Sequence, residues 1–238
     1  MRINKFLAEC GLGSRRSCET LITEGKVRLN GKTAGLGEDV DPERDVVTVS
    51  GRRVTPPRKY TYLMFHKPKG CVTTASDDLG RKTVMDYIDL THVRVYPVGR
   101  LDYDTEGLLL LTNDGDLAQT LTHPSHHIGK TYAVRVAGRV EPAQLEALRE
   151  GVRLDDGDLT APAEVTVLEE GTDSTRLEIT IYEGKNRQIR RMLEAVGKKV
   201  TFLKRTGLGD LRLGGLPRGK YRYLNPKEIE ALKKLGEE

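Results

Sequence analysis

The sequence predicts an α+β protein in two parts: a small αα-turn-β module over residues 1–54 and, after a linker at 55–60, a larger domain over 61–238 with a mainly antiparallel sheet and flanking helices. Three observations predict it. Short helical periodicity at the start of the chain gives way to apolar runs of strand length separated by turn residues. Charge divides at the same place, because residues 1–59 hold 12 Lys and Arg against 8 Asp and Glu, whereas the rest hold 27 of each sign. Finally, Gly51–Lys59 joins the Pro56-Pro57 pair to four positive charges, a linker composition.

The elements follow in order. Ile3, Phe6, Leu7 and Cys10 recur at i, i+3, i+4 and i+7 before Gly11, so the first helix has a glycine at its C-terminal end. Ser14 caps a second helix that turns Cys18, Leu21 and Ile22 inward and ends at Gly25. Asn30-Gly31 marks a two-residue turn, and Val46–Val49 a closing strand. In the larger part, strands are expected at 61–66, 108–112, 131–137, 163–169, 175–182 and 199–204. Helices are expected at 115–121, 142–150, 187–196 and 226–235, with Gly207, Gly209, Gly214, Gly215 and Gly219 as turns of a meander before the last.

Composition narrows the class. Hydrophobic residues make up 37% and charged residues 31%, mean hydropathy is −0.48, and no apolar run approaches the roughly 20 residues of a membrane span. No signal-peptide pattern follows Met1, so a cytoplasmic protein without a membrane partner is expected. Cys10, Cys18 and Cys71 fit neither a zinc site nor a disulfide framework and read as reduced thiols. A basic segment ahead of a neutral domain reads as an electrostatic anchor for nucleic acid, with Arg15, Arg16, Lys26, Arg28 and Lys32 as its contacts.

Asp102, Asp104, Glu106 and Gly107 occupy positions 1, 3, 5 and 6 of a calcium-loop pattern, but Asn113 stands where a bidentate carboxylate belongs, and Leu108–Leu111 reads as a buried strand. Asp102 then lies on the loop entering that strand. A carboxylate nucleophile needs a fixed cation near it, which the Lys185–Arg191 segment can supply. An exposed Arg190–Glu194 pair on the same helix is the bland alternative, and spacing leaves both open. From Lys185 to Arg205 there are eight Lys and Arg against one acid, the densest basic stretch in an otherwise balanced domain. Tyr132 alternates with Val134 and Val136 as a strand residue would. His123, His126 and His127 lack a companion ligand and read as a surface loop, and Gly184-Lys185 lacks the rest of a P-loop.

Taken together, Ser14-Arg15-Arg16, Gly25-Lys26-Val27 and Asn30-Gly31 resemble a small RNA-binding module first described in a ribosomal small-subunit protein. Lys67-Pro68-Lys69-Gly70, Gly99-Arg100-Leu101-Asp102, Thr105 to Gly115, Lys130-Thr131-Tyr132 and Glu183 to Met192 resemble the ribosomal RNA pseudouridine synthases that carry this module, so the resemblance covers essentially the whole chain. It implies a mixed central sheet and cofactor-free, metal-free isomerisation of a flipped-out uridine, with Lys67, Lys69, Arg100, Lys185, Arg187 and Arg191 in the motif loops as the candidate phosphate contacts around it. It further implies Asp102 as nucleophile, Tyr132 stacking on the uracil and helping to move the C5 proton, and Arg190 ion-paired with Asp102. The shape of the motifs points to large-subunit rather than small-subunit rRNA as partner, for a monomer. The other classes weighed are an rRNA-binding or ribosome-assembly factor without catalysis, and a sugar glycosidase, which would need a second acid at a defined separation.

Overall fold

The computed structural model describes residues 1–91 and 93–236; His92, Glu237 and Glu238 lie outside the described residues. The chain divides into two compact units, one formed by Met1–Thr61, Leu90–Val95 and Asn113–Gly115, the other by Tyr62–Asp89, Tyr96–Thr112 and Asp116–Glu238.

In the first unit, α1 (Ile3–Glu9) buries Ile3, Phe6 and Leu7, and Gly11 follows at a φ of +83°, the left-handed region that glycine enters freely. The Ser14 hydroxyl accepts the Ser17 N–H at 3.1 Å and so satisfies one of the free donors at the start of α2 (Arg15–Thr23), which buries Cys18 and Ile22. Next come β1 (Val27–Leu29), β2 (Lys32–Thr33), β3 (Val47–Val49) and β4 (Arg52–Arg53), in the order β2-β1-β3-β4. Asn30 and Gly31, at φ +50° and +82°, make the tight β1–β2 turn, and the Asn30 amide ties it to Asp45 and Val46 at 2.9 Å each. Valines 27, 40 and 47 close the core over the two helices. Arg52 and Arg53, which the sequence assigns to a stretch of linker composition, instead pair with Val49 and Thr48 as a fourth strand.

The second unit contains β5 (Tyr62–Lys67), β6 (Tyr96–Val98), β7 (Glu106–Thr112), β8 (Lys130–Ala137), β9 (Glu164–Glu170), β10 (Ser174–Ile181), β11 (Val200–Leu208), β12 (Leu211–Arg212) and β13 (Tyr221–Tyr223). Their path is β13-β5-β7-β11-β8-β10-β9, with β6 on β7 and β12 on β11. Among the described strands β7 and β11 run parallel, and the other pairs are antiparallel, so the sheet is mixed but mainly antiparallel. Helices α3 (Gly115–Thr122), α4 (Pro142–Glu150), α5 (Gln188–Ala195) and α6 (Pro226–Lys234) complete it. Every residue of β7 is buried, as its unbroken Leu108–Leu111 run requires of a central strand. One face of this region packs Met64, Leu108 and Leu110 against Leu117 and Leu121 of α3 and Leu232 of α6. Gly207 lies inside β11, at a register shift against β8, and is not a turn as its neighbouring glycines suggest. The short β6, β12 and β13 leave no periodicity long enough to read in sequence, because partner strands rather than their own pattern define them.

The parallel contact between β7 and β11 depends on Gly107. It faces Arg205 in register at a φ of +122°, and a β-carbon there would overlap the Arg205 backbone. Gly107→Ala is therefore expected to lower unfolding stability by about 2–3 kcal/mol or to prevent folding, while Gly215→Ala, in open space, stays within about 0.5 kcal/mol; urea denaturation followed by circular dichroism measures both.

Candidate active site

Asp102 sits on the loop between β6 and β7, and this loop is pinned from beneath. Lys67, at the end of β5, has a fully buried side chain whose ammonium donates to the carbonyls of Asp102 at 2.9 Å, Thr105 at 3.0 Å and Pro68 at 3.1 Å. Burial pushes its pKa below the ordinary lysine range, with Cys71, Asp102 and Asp104 pulling the other way. Three carbonyl acceptors match the three donors of an ammonium. Thr73 adds a second pin, donating from its hydroxyl to the Leu101 carbonyl at 2.7 Å and accepting the Leu101 N–H at 3.2 Å. The backbone on both sides of Asp102 is thus fixed while its side chain remains about one-third exposed.

The start of α5 supplies the facing cations. Arg187, at a left-handed φ of +48°, precedes the helix, and Arg190 lies within its first turn. Arg187 Nη1 is 3.1 Å from Asp104 Oδ1 and 3.8 Å from Asp102 Oδ2. Arg190, with a side chain only 11% exposed, holds Asp104 twice through Nη2, at 3.1 Å to its carboxylate and 3.2 Å to its carbonyl. Burial works to raise the Asp104 pKa, but the Arg187 hydrogen bond and both positive charges outweigh it, so Asp104 stays below the usual carboxylate range. The implied Arg190–Asp102 pair is therefore corrected: Arg190 takes Asp104, and Arg187 is the arginine closest to the Asp102 carboxylate. The calcium-loop pattern fails for the same physical reason, since arginines hold Asp104, and the buried Glu106 faces Arg218 at 3.1 Å.

A cleft of about 340 Å³ opens beside Asp102. Tyr132 and Lys130 of β8, Arg205 of β11, Arg100 of the β6–β7 loop, and Arg187 border it. Tyr132 is 8% exposed, so it is a strand residue of the sheet and a wall of the cleft at once.

Other expected contacts divide. Lys67 is corrected from phosphate contact to internal clamp, because no part of it reaches the surface. Arg191 is corrected similarly: it binds Asp155 through Nε at 2.6 Å and Asp156 through Nη2 at 2.6 Å, with its side chain 15% exposed. Lys185 pairs with Asp158 at 2.8 Å. Lys69 and Arg100 are exposed, Lys69 lying 5.3 Å above the Phe202 ring. In the first unit Arg15, Arg16, Arg28 and Lys32 are exposed, and the exposed Lys26 pairs with Glu24 at 2.6 Å. His123 bonds Ser125 at 2.6 Å through its ring nitrogen. Sequence reading missed Lys130 and Arg205 as cleft residues. Lys130 carried a signal, two positions from Tyr132 on one strand face; Arg205 carried none beyond its place in a basic stretch.

Residues 61–195 match the RNA pseudouridylate synthase family and residues 1–46 match the S4 domain. The chain is 44% identical over 238 residues to the ribosomal large subunit pseudouridine synthase B of Bacillus subtilis (strain 168), covering 99% of this chain and 97% of that one. It is also 44% identical over 235 residues to an uncharacterized RNA pseudouridine synthase of Aquifex aeolicus (strain VF5), covering 98% and 93%. A crystal structure of a pseudouridylate synthase aligns with 98% of this chain and 99% of its own at a TM-score of 0.71 and 34% identity. With the fold, the pinned aspartate loop and these likenesses agreeing along its length, the chain belongs to the RNA pseudouridylate synthase family, an S4 domain preceding its synthase domain.

Proposed function

We propose that the protein converts a specific uridine of large-subunit ribosomal RNA to pseudouridine, with Asp102 as the nucleophile and no cofactor. The reaction breaks the N1–C1′ bond, turns the uracil, forms a C5–C1′ bond, and leaves N1 with a proton and C5 without one, so the product is an isomer and nothing is consumed. A carboxylate can start this by adding to C6 of the base or to C1′ of the sugar, and either route needs it ionised, aimed and accessible. The observation that carries the reading is the backbone of Asp102 held by the buried Lys67 ammonium, with its carboxylate partly exposed at the cleft and Arg187 at 3.8 Å.

Tyr132 offers the target base an aromatic face and a phenol near C5. A uridine stacked in RNA must be flipped out to enter, at a cost of a few kcal/mol that backbone contacts offset. Arg100, Lys69 and Arg187 are the exposed cations of the second unit suited to those contacts. The S4 unit contributes sequence-independent affinity through Arg15, Arg16, Arg28 and Lys32. The name of the Bacillus subtilis relative supports large-subunit rRNA as the substrate. Action on ribosomal RNA places the protein with ribosomes in the cytoplasm, a location that rests on the same relative.

Mapping pseudouridines in large-subunit rRNA from cells with and without the protein tests this reading: one position should lose its modification and regain it on complementation, and an unchanged map would refute it. The anchor is tested by Arg15→Glu/Arg16→Glu, which should weaken rRNA binding and make the slope of log affinity against log salt shallower by about 2; an unaltered slope removes these residues from the interface. The arginines separate by exposure. Arg190→Gln should lower kcat by about 100-fold with RNA affinity within about threefold, because it acts on the Asp102–Asp104 loop from inside; Arg187→Gln should also weaken binding, which titration and single-turnover kinetics distinguish.

A further inference from the structure

Arg205 is a buried charge that the steps above leave without a task. It is 4% exposed, stands directly across from Tyr132 on the neighbouring strand, and borders the cleft. Its Nε donates to the Leu108 carbonyl at 2.7 Å, and no carboxylate among the described residues lies within ion-pair distance of its guanidinium. Lys130 borders the same cleft, with one donor on the Ile128 carbonyl at 3.1 Å. Burial first, and then the charge of Arg205, push the Lys130 pKa below the ordinary lysine range, with Glu183 opposing. A guanidinium buried without a counter-ion is unfavourable in isolation, so such a pair of cations marks a place built for negative charge that arrives with a ligand.

The proposed reaction creates that charge at a known moment. When the N1–C1′ bond opens after attack at C1′, its electron pair stays on N1 and spreads over the ring to O2 and O4, and the uracil remains anionic until C5 joins C1′; the C5 proton then leaves as N1 takes one. If Asp102 adds to C6 instead, the addition itself places an enolate charge on O4 and the opened bond leaves its pair on N1 and O2, so on either route the uracil carbonyl oxygens carry the negative charge. Resting on the function proposed above, we infer that Arg205, with Lys130 beside it, is the site that binds the uracil carbonyl oxygens and stabilises the detached base as an anion. A planar guanidinium fixed through Nε keeps its two terminal amino groups for such an acceptor and needs no reorganisation when charge develops. The labour is then divided: Arg187 and Arg190 serve the aspartate loop, and Arg205 and Lys130 serve the leaving group.

The test compares two substrates in single turnover, a short RNA carrying the modified uridine and the same RNA carrying 5-fluorouridine there. Fluorine makes the uracil anion less basic and so less dependent on an external cation. Arg205→Met should slow uridine consumption by about 100-fold, slow 5-fluorouridine consumption by no more than about 10-fold, and leave RNA affinity within about threefold. Arg205→Lys, which keeps the charge but not the fork, should fall between. Equal slowing of both substrates, or an unchanged rate on uridine, would overturn the inference and make Arg205 a structural residue. If Arg205→Met loses its cooperative melting transition, Lys130→Met carries the same comparison, with the same unequal slowing expected and equal or absent slowing contradicting it. Wild-type protein that leaves uridine unconverted overturns the functional reading itself, an outcome separate from any difference between variants.

Discussion

The constraint on which the catalytic half of this molecule depends is the burial of one ammonium group. Lys67 places a cation in the sheet interior with no carboxylate among the described residues at ion-pair distance, and such a group is tolerated only where its donors are fully used. The carbonyls of Pro68, Asp102 and Thr105 use them, and in doing so they join the end of one central strand to the loop that enters the next. Because Asp102 contributes its carbonyl to this clamp, its carboxylate is left for other work. The position of the candidate nucleophile is thus a consequence of how a buried charge is satisfied, which makes loss of Lys67 more damaging than loss of an ordinary surface contact.

Charge in the cleft is organised in layers. Asp104 absorbs Arg190 and most of Arg187, which keeps Asp104 ionised and holds two guanidinium groups near Asp102 without closing over it. Asp155, Asp156 and Asp158 absorb Arg191 and Lys185 at the other side of α5. Within the cleft wall, the buried Arg205 and the half-buried Lys130 form no ion pair among the described residues. Residues that look alike as basic side chains in sequence therefore divide into internal ties, exposed cations and cations lining the cleft, three placements that residue type alone does not separate.

Much of the fold was legible because its signals are local. Ser14 capping α2, the Asn30-Gly31 turn and the all-apolar Leu108–Leu111 strand each follow from a few neighbouring residues. The place of Asp102, at the entrance to that strand, followed too. What escaped are facts set by distant partners: Arg52-Arg53 as a strand, because β3 makes it one; Lys67 as a clamp rather than a phosphate contact, because the carbonyls it holds lie up to 38 positions away; and Arg190 on Asp104, a partner 86 positions away. Two carboxylates two positions apart on one loop look equivalent in sequence, and only the approach of α5 distinguishes the one that is tied from the one that is free to act.

That distinction is the central claim, and the two aspartates test it side by side. Purified Asp102→Asn and Asp104→Asn proteins, each shown to bind the rRNA substrate, would be followed for pseudouridine formation in single turnover. The account predicts no product from Asp102→Asn, which keeps shape but lacks the negative charge, and a rate reduced by about 10- to 100-fold but measurable from Asp104→Asn, whose role is to hold the arginines. An Asp102→Asn protein that converts uridine at near wild-type rate, or an Asp104→Asn protein that is the silent one, would contradict it.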